Sequence, residues 1–524
     1  MNNKEFDFYP FETESKVFDE KYIFIDQQTI QELTEKAFTR LSFTFTKKHL
    51  EHLINATLAR DASDNDRYVC ASLLKNAQIA SEGILPLCQD TGIANIFAWK
   101  DSHILTNGKD EESISQAIKK VYAEKKLRNS TVCSRTIFDE YDPANNLPPQ
   151  TMIFSGEEKF KSEPAYHFLF CAKGGGSSNK TVFIQGTKAY LNETKLKELL
   201  SEKIAQLGTS ACPPYTISLV IGGLSPEQNL LTLKLASAGF YDSDNSIPTQ
   251  GYRDTLWEKT VLEIATNSGL GAQFGGTKMA LDAQVIRLPR HGASCPISLG
   301  VSCSAHRNIE GYITSKGFYL EKTVAKPADL PHFDKALSFA SLTNSNEIIH
   351  TDKGIDFLRK TLQQKKIGEK LLLSGKILVA RDAAHARWYA MVQDGKELPE
   401  YTKMYPICYA GPSQTPKGKV IGSFGPTTAG RMDTYADFLM EKGASYITIA
   451  KGNRSKEFRE ACKKHTGFYL GTLGGAAALI AESYIKSVDV IDFPELGMEA
   501  VRLIHVENLP VFLLTNHLGE DFYA

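Results

Sequence analysis

The chemistry-bearing residues of this sequence concentrate in short segments dense in Gly, Pro, Cys and polar side chains. They are PLCQDTG (86–92), LRNS (127–130), KGGGSSNK (173–180), ACPPY (211–215), GAQFGG (271–276), RLPRHGASCP (287–296), VSCSAHRN (301–308), ARDAAHAR (380–387), YAGPSQTP (409–416), SFGPTTAGRMD (423–433) and KGNRS (451–455). Glycine permits close backbone approach and unusual φ angles, and loops of this kind commonly carry sites on a rigid scaffold. Any one segment reads equally well as a turn; eleven together point to a site. In SFGPTTAGRMD, Pro426 suits the first turn of a helix. Thr427 and Arg431 then share a face at i and i+4. A hydroxyl, a guanidinium and a helix N-terminus together suit a carboxylate or phosphate, or describe a capped helix with a solvated arginine.

Several familiar chemistries are absent. There is no GxxxxGK[ST] and no HExxH. Gly269-Leu-Gly271-Ala-Gln-Phe-Gly275 misses the dinucleotide fingerprint, because its third glycine is one position late and no strand runs into it. The nine cysteines (70, 88, 133, 171, 212, 295, 303, 408 and 462) are odd in number, widely spaced and form no CxxC pair. This argues against a disulfide framework and against common zinc or ferredoxin patterns. Spacing alone makes most of them buried structural thiols.

These segments need elements to position them. Apolar spacing of three and four predicts helices within ~28–82, at ~112–127 and at ~194–207, with Asn65 or Asp66 capping the helix that contains VCASLLKNAQIA. TISLVIGG and LDAQVIRLP read as strands. The N-terminal part is therefore α+β. From ~370 the pattern becomes strand, helix, strand: KILVAR, DAAHARWYAMVQ, TYADFLMEKG, ASYITIAKG and a closing PVFLLTNHLGEDFYA. This predicts a smaller α/β C-terminal domain. The expected division is 1–335 for the N-terminal domain, 336–368 for a linker region and 369–524 for the C-terminal domain.

The 524 residues carry a net charge of −1, with 60 basic and 61 acidic side chains. That balance gives no reason to propose nucleic acid or an anionic membrane as partner. The first 20 residues have no apolar core and several acids, unlike a secretory or transit peptide. The most apolar stretch, Leu473 to Ala481, falls short of the ~18 residues of a membrane span. The expected compartment is the cytoplasm, with organellar import left open.

Taken in order, PLCQDTG, KGGGSSNK, CPPY, GAQFGG, RLPRHGASCP, VSCSA, SFGPTTAGRMD and KGNRS resemble the class I fumarases, the oxygen-sensitive iron–sulfur hydratases. The resemblance runs from about residue 30 to the C-terminus. It implies a two-domain iron–sulfur hydro-lyase, a homodimer with its site between the domains, that interconverts fumarate and malate. It assigns Cys88, Cys212 and Cys303 as ligands of a [4Fe–4S] cluster with one open iron, a Lewis acid toward the substrate. It assigns Asp90 as general acid, with a pKa expected to be raised by burial, and Thr427 as base. Gln89, Arg128, Gly175, His291, Arg381, Arg431 and Lys451 are implied as substrate-binding residues, the cations matching a small dicarboxylate. A tartrate dehydratase or mesaconase is the nearest alternative; a fused chain favours fumarase, since tartrate dehydratases usually split these domains between subunits. A non-enzymatic iron or oxygen sensor would need only the cysteines.

Two positions depart from the family pattern. CPPYH and SADRN read here Cys212-Pro-Pro-Tyr-Thr216 and Ser304-Ala-His306-Arg-Asn308. Both adjoin cluster cysteines, which suggests a paired exchange around the cluster.

Overall fold

A computed structural model describes residues 5–10, 17–18, 22–155, 163–242, 250–341 and 347–524. Part of the expected linker, 342–346, lies outside the described residues. The helical N-terminal stretch resolves into Gln27–Phe43, Lys47–Leu58 and Asp64–Ala80. The third is capped by Ser63 and not by Asn65 or Asp66: Ser63 accepts from the Asp66 N–H while the Asp66 carboxylate accepts from the Ser63 N–H. Such a box stabilises a helix start by about 1 kcal/mol. Asp66 also accepts from the backbone N–H of Ala272 (2.8 Å) and Thr277 (2.8 Å), fastening the GAQFGG loop to this helix. Gly276 has φ +136°, and a Cβ there would meet Asp66 Oδ2 at 2.2 Å, so no larger residue fits. That loop follows the helix Thr255–Asn267 rather than a strand.

The two larger sheets of the N-terminal part carry its site segments, beside a small three-stranded and a two-stranded sheet. One has six strands, in the order Phe6–Pro10, Gly317–Glu321, Asn308–Thr314, Tyr166–Lys173, Ile93–Lys100 and Gln150–Ser155. The other has five: Val182–Gly186, Cys295–Ser302, Tyr215–Gly223, Ala280–Arg290 and Tyr252–Arg253. Both contain parallel as well as antiparallel pairs.

The C-terminal part has parallel strands Ile348–His350, Lys370–Val379, Ile407–Cys408, Ile447–Ala450 and Phe468–Gly471, interleaved with helices such as Asp382–Gln393, Asp433–Glu441 and Lys456–His465. The alternation predicts this much. It does not reveal that the long strand Val501–Thr515 pairs antiparallel with both Lys370–Val379 and Phe468–Gly471, closing five strands into a ring. No helix among the described residues is long and apolar enough to cross a membrane.

The two parts share one apolar core. Leu73, Leu87 and Phe274 belong to the same buried cluster as Leu378, Leu473 and Phe512. Asn76, fully buried, donates to Leu87 O at 2.9 Å and accepts from Leu479 N–H at 3.0 Å, so one side chain holds loops of both parts in register. A buried amide satisfied on both sides in this way fixes geometry as well as adding stability.

Candidate active site at the seam of the two parts

The fold gathers strand ends at one seam. In the C-terminal ring, Arg381, Gly411, Lys451 and Gly474 follow the carboxyl ends of four parallel strands, where open parallel sheets place their ligands. In the N-terminal part, Asp90 precedes Ile93–Lys100 and Gly175 follows its antiparallel partner Tyr166–Lys173, since Ile93 pairs with Lys173. Gly92, at φ +83°, crosses so close that a Cβ would meet Lys173 backbone at 2.9 Å. Cys212 precedes Tyr215–Gly223 and Cys303 follows its antiparallel partner Cys295–Ser302, with Ser304 N–H donating to Cys212 O at 3.0 Å.

The three thiols face a cradle made by the C-terminal part. Cys88 and Cys212 are buried and Cys303 is partly buried. Burial pushes the Cys212 thiol up to about 11 although Lys451 opposes it; burial raises Cys88 too, with Arg307 opposing. Lys451 Nζ lies 2.7 Å from Cys212 Sγ. A Cβ at Gly474 would come within 2.5 Å of Cys212 Sγ and 3.1 Å of Lys451 Cδ, so this loop must be glycine to leave the thiol room. Gln273 fixes the cradle: it donates to Pro213 O and Gly474 O, both at 2.9 Å, and accepts from Gly474 N–H at 2.8 Å. Among the described residues no three His, Cys, Asp or Glu side chains close around a single metal ion. Three separated thiols lining one cradle instead suit a polynuclear iron–sulfur group, whose irons take one thiolate each.

Asp90 is held on both carboxylate oxygens. Arg128 Nη2 is 2.8 Å from Oδ1, and Gly175 N–H donates to Oδ2 at 3.0 Å. Burial alone would raise its pKa. The Arg128 and Arg307 guanidiniums, the Gly175 N–H and Lys451 outweigh burial and hold it at about 2. The expectation of a raised pKa is thus corrected: the two arginines that share its pocket lower it. Gln89 is buried beside it, within 3.4 Å of Cys88 Sγ, and donates to Pro426 O at 3.3 Å.

The Thr427 segment also differs from its expected form. Pro426 and Thr428 make isolated β-bridges to Ala410 and Lys451, and helical structure begins only at Ala429–Met432, a 3₁₀ turn before Asp433–Glu441. The backbone of Thr427 is spent on Tyr409 O and Lys451 N–H, which explains why no helix starts at Pro426. Arg431 nevertheless reaches Thr427, donating from Nη2 to Oγ1 at 2.6 Å, and Nη2 also lies 2.9 Å from Asp382 Oδ2. Arg381 is partly buried; its Nη2 donates to Glu499 Oε1 at 2.7 Å. Its Nε is 3.3 Å from Asp382 Oδ2 but lacks hydrogen-bond geometry, leaving a buried donor unsatisfied.

Cys88, Cys212, Cys303, Gln89, Asp90, Arg128, Gly175, Arg381, Thr427, Arg431 and Lys451 therefore meet at one seam. His291 does not join them within the chain. It occupies the exposed turn between Ala280–Arg290 and Cys295–Ser302, at the far end of the sheet from Cys303. The strand between spans about 26 Å at ~3.3 Å per residue. Cys295, near the cluster motif in sequence, is removed from it for the same reason. Thr216 and His306 are joined through Ser302: Thr216 pairs with Ser302 across the sheet, and His306 Nδ1 is 2.7 Å from Ser302 Oγ. Both line a cavity of about 800 Å³.

Sequence reasoning missed Arg307, Asp382, Glu499 and Gln273. Arg307 is almost fully buried, and a Cβ on Gly174 would sit 3.1 Å from Asp90 Oδ2 and 3.8 Å from Arg307 Nη2, so the guanidinium adjoins the carboxylate. Its place in VSCSAHRN was the available signal. Glu499 lies in no motif, and only folding brings it to Arg381.

Fold and site together define a two-domain protein in which three thiols and several cationic side chains face each other across the seam of its two parts. Residues 31–311 match the family "Fumarate hydratase (Fumerase)" and residues 320–524 match "Fumarase C-terminus". The chain is 46% identical to fumarate hydratase 2 of Leishmania major, over 98% of this chain and 89% of that protein. It is 44% identical to the anaerobic class I fumarate hydratase of Escherichia coli strain K12, over 95% and 90%. Against the mitochondrial fumarate hydratase 1 of Leishmania major the identity is 42%, over 95% and 90%. The chain belongs to the class I fumarate hydratase family, which is iron–sulfur dependent.

Proposed function

We propose that this chain catalyses the reversible hydration of fumarate to (S)-malate, with Cys88, Cys212 and Cys303 holding a [4Fe–4S] cluster that keeps one iron free of protein ligands. When bound, the cluster supplies a Lewis acid for the substrate hydroxyl and a neighbouring carboxylate oxygen. The observation that carries this reading is the 2.7 Å contact of Lys451 Nζ with Cys212 Sγ. A cation of the anion pocket rests on a thiol of the cluster cradle, so an anionic substrate bound there lies against the cluster.

The chain's own residues divide the remaining work. The Nε–H of Arg381, which has no hydrogen-bond partner, can donate to a substrate carboxylate oxygen, with Lys451 adding charge. In hydration the ionised Asp90 takes a proton from the attacking water, and the Thr427 hydroxyl gives its proton to C3. The resulting alkoxide is stabilised by the Arg431 Nη2–H at 2.6 Å, and the proton on Asp90 returns to it through solvent. Dehydration runs the same transfers in reverse. The cations also stabilise the aci-carboxylate formed as the C3 proton leaves.

The proposed assembly is a cytoplasmic homodimer in which His291 of a second copy completes each site. The turn that carries it is remote from its own chain's cluster cysteines, yet exposed and free to reach across a two-fold axis.

The test is purification without oxygen, followed by the visible spectrum and activity with fumarate, tartrate and mesaconate. Fumarate hydration that is lost in air and restored by ferrous iron and thiol is expected. A colourless, stable, inactive protein overturns the reading, and preferential turnover of tartrate or mesaconate reassigns the substrate.

A further inference from the structure

Asp382 joins two guanidiniums that come from separate segments. Arg381 follows the strand Lys370–Val379, and Arg431 lies on the turn Ala429–Met432. Asp382 Oδ2 is 3.3 Å from Arg381 Nε and 2.9 Å from Arg431 Nη2. Arg431 Nη2 carries two hydrogens: one points to Asp382 and the other goes to Thr427 Oγ1 at 2.6 Å. That nitrogen is fully spent inside the protein. Only Nε and Nη1 of Arg431 remain for a substrate.

Glu499 braces the same arrangement from behind. Its Oε1 accepts from Arg381 Nη2 at 2.7 Å and its Oε2 from Ala383 N–H at 2.8 Å, in the first turn of the helix Asp382–Gln393. The backbone that carries Asp382 is fixed by a carboxylate at the helix N-terminus, a favourable place for negative charge. Two like charges brought together would otherwise turn outward into water, and Arg431 is the freer of the two, with its side chain 42% exposed against 12% for Arg381.

We propose, building on the hydratase reading, that Asp382 is a positioning residue that acts on the proton step at C3 through Arg431. Its carboxylate fixes the Arg431 guanidinium so that Nη2–H is aimed at Thr427 Oγ1. This orients the hydroxyl and stabilises the alkoxide that removes the C3 proton. Glu499 positions Arg381 for substrate binding, which makes the two carboxylates separable in kinetics.

The experiment compares wild type, D382N, D382E and E499Q, purified without oxygen with the cluster in place. It uses malate, malate deuterated at C3, and a crystal structure of D382N. D382N is expected to keep the cluster spectrum and lose at least tenfold in kcat with KM within twofold. Its C3 deuterium isotope effect should rise as proton removal becomes limiting. D382E should recover part of kcat, while E499Q should mainly raise KM. A D382N enzyme with unchanged kcat, or with raised KM and an unchanged isotope effect, overturns the proposal. If wild type fails to turn over malate, the hydratase reading fails on its own. The D382N crystal structure then still decides the positioning claim: Arg431 displaced from Thr427 supports it, and Arg431 unmoved overturns it.

Discussion

Lys451 Nζ sits 2.7 Å from Cys212 Sγ, joining a strand end of the C-terminal ring to a loop of the N-terminal part. Burial alone would lower the Lys451 pKa, but the sulfurs of Cys212, Cys88 and Cys303 beside it outweigh burial and raise it. The thiols of the N-terminal part and this lysine of the C-terminal part are thus electrostatically coupled across the seam.

The cysteines fall into two groups by surroundings. Cys88→Ser, Cys212→Ser and Cys303→Ser should each abolish the visible absorbance of the cluster. Cys462 lies in the apolar core of the C-terminal part, its thiol pushed up to about 12 by burial, and Cys462→Ala should leave that absorbance intact. Anaerobic spectra and iron content distinguish the groups; loss of iron in Cys462→Ala would contradict the assignment.

Gly474→Ala tests the cradle without touching a ligand. Its Cβ would stand 2.5 Å from Cys212 Sγ, well inside contact distance. The chain should fold, because the neighbouring core contacts remain, yet bind less than a tenth of the wild-type iron. Circular dichroism and iron analysis on the same sample check both halves of this statement.

Lys173 is buried with Nζ on Ser237 Oγ (2.9 Å) and Val301 O (2.7 Å), and burial lowers its pKa to about 8 from an ordinary 10.5. Between those values the unfolded chain binds more protons than the folded one, so stability rises with pH across pH 8 to 10. The gain is on the order of 3 kcal/mol. Thermal midpoints should climb with pH in that window for wild type and climb less for Lys173→Met. Parallel curves would show that the lysine is charged in the fold as it is in water.

If His291 serves the partner's site, two defective chains should complement. His291→Asn keeps its cluster, and Cys303→Ser keeps its histidine. Mixed dimers hold one complete site of two, so an equal mixture should recover roughly a quarter of wild-type activity. Either variant alone should show a few per cent or less. No recovery on co-expression would place His291 outside the reaction.

Much of the site is legible before folding. Cys88, Gln89 and Asp90 are consecutive, and their motif survives in the structure as one tight loop, because Gly92 lets it close against Lys173. The helices of the N-terminal part follow from apolar spacing, and the helix Glu193–Leu207 ends at Gly208, φ +58°, as its sequence predicts. Where sequence fails, a distant partner has outbid a local preference. Thr427 looks like part of a helix start, but bonds to Tyr409 and Lys451 hold it extended. Asp66 looks like a cap and is the reciprocal partner of one, because Ser63 lies where the chain turns. Asp90 looks like a buried acid awaiting a proton. It is ionised because Arg128 and Arg307, 38 and 217 positions away, converge on it.

By itself the sequence determined which side chains are available, the local elements that carry them, and the family motifs in their order. Those are short-range properties, set by residue type and by periodicity over a few turns or strand residues. Only the tertiary structure decided charge balance, through-space partners and the placement of His291 relative to the cysteines. Charge states depend on groups that approach through space, and Coulomb coupling in a desolvated seam overrides what burial alone predicts. Partners such as Glu499 to Arg381 depend on Val501–Thr515 closing the ring. The separation of His291 from Cys303 depends on the length of one strand, which carries it away from the cysteine its motif adjoins.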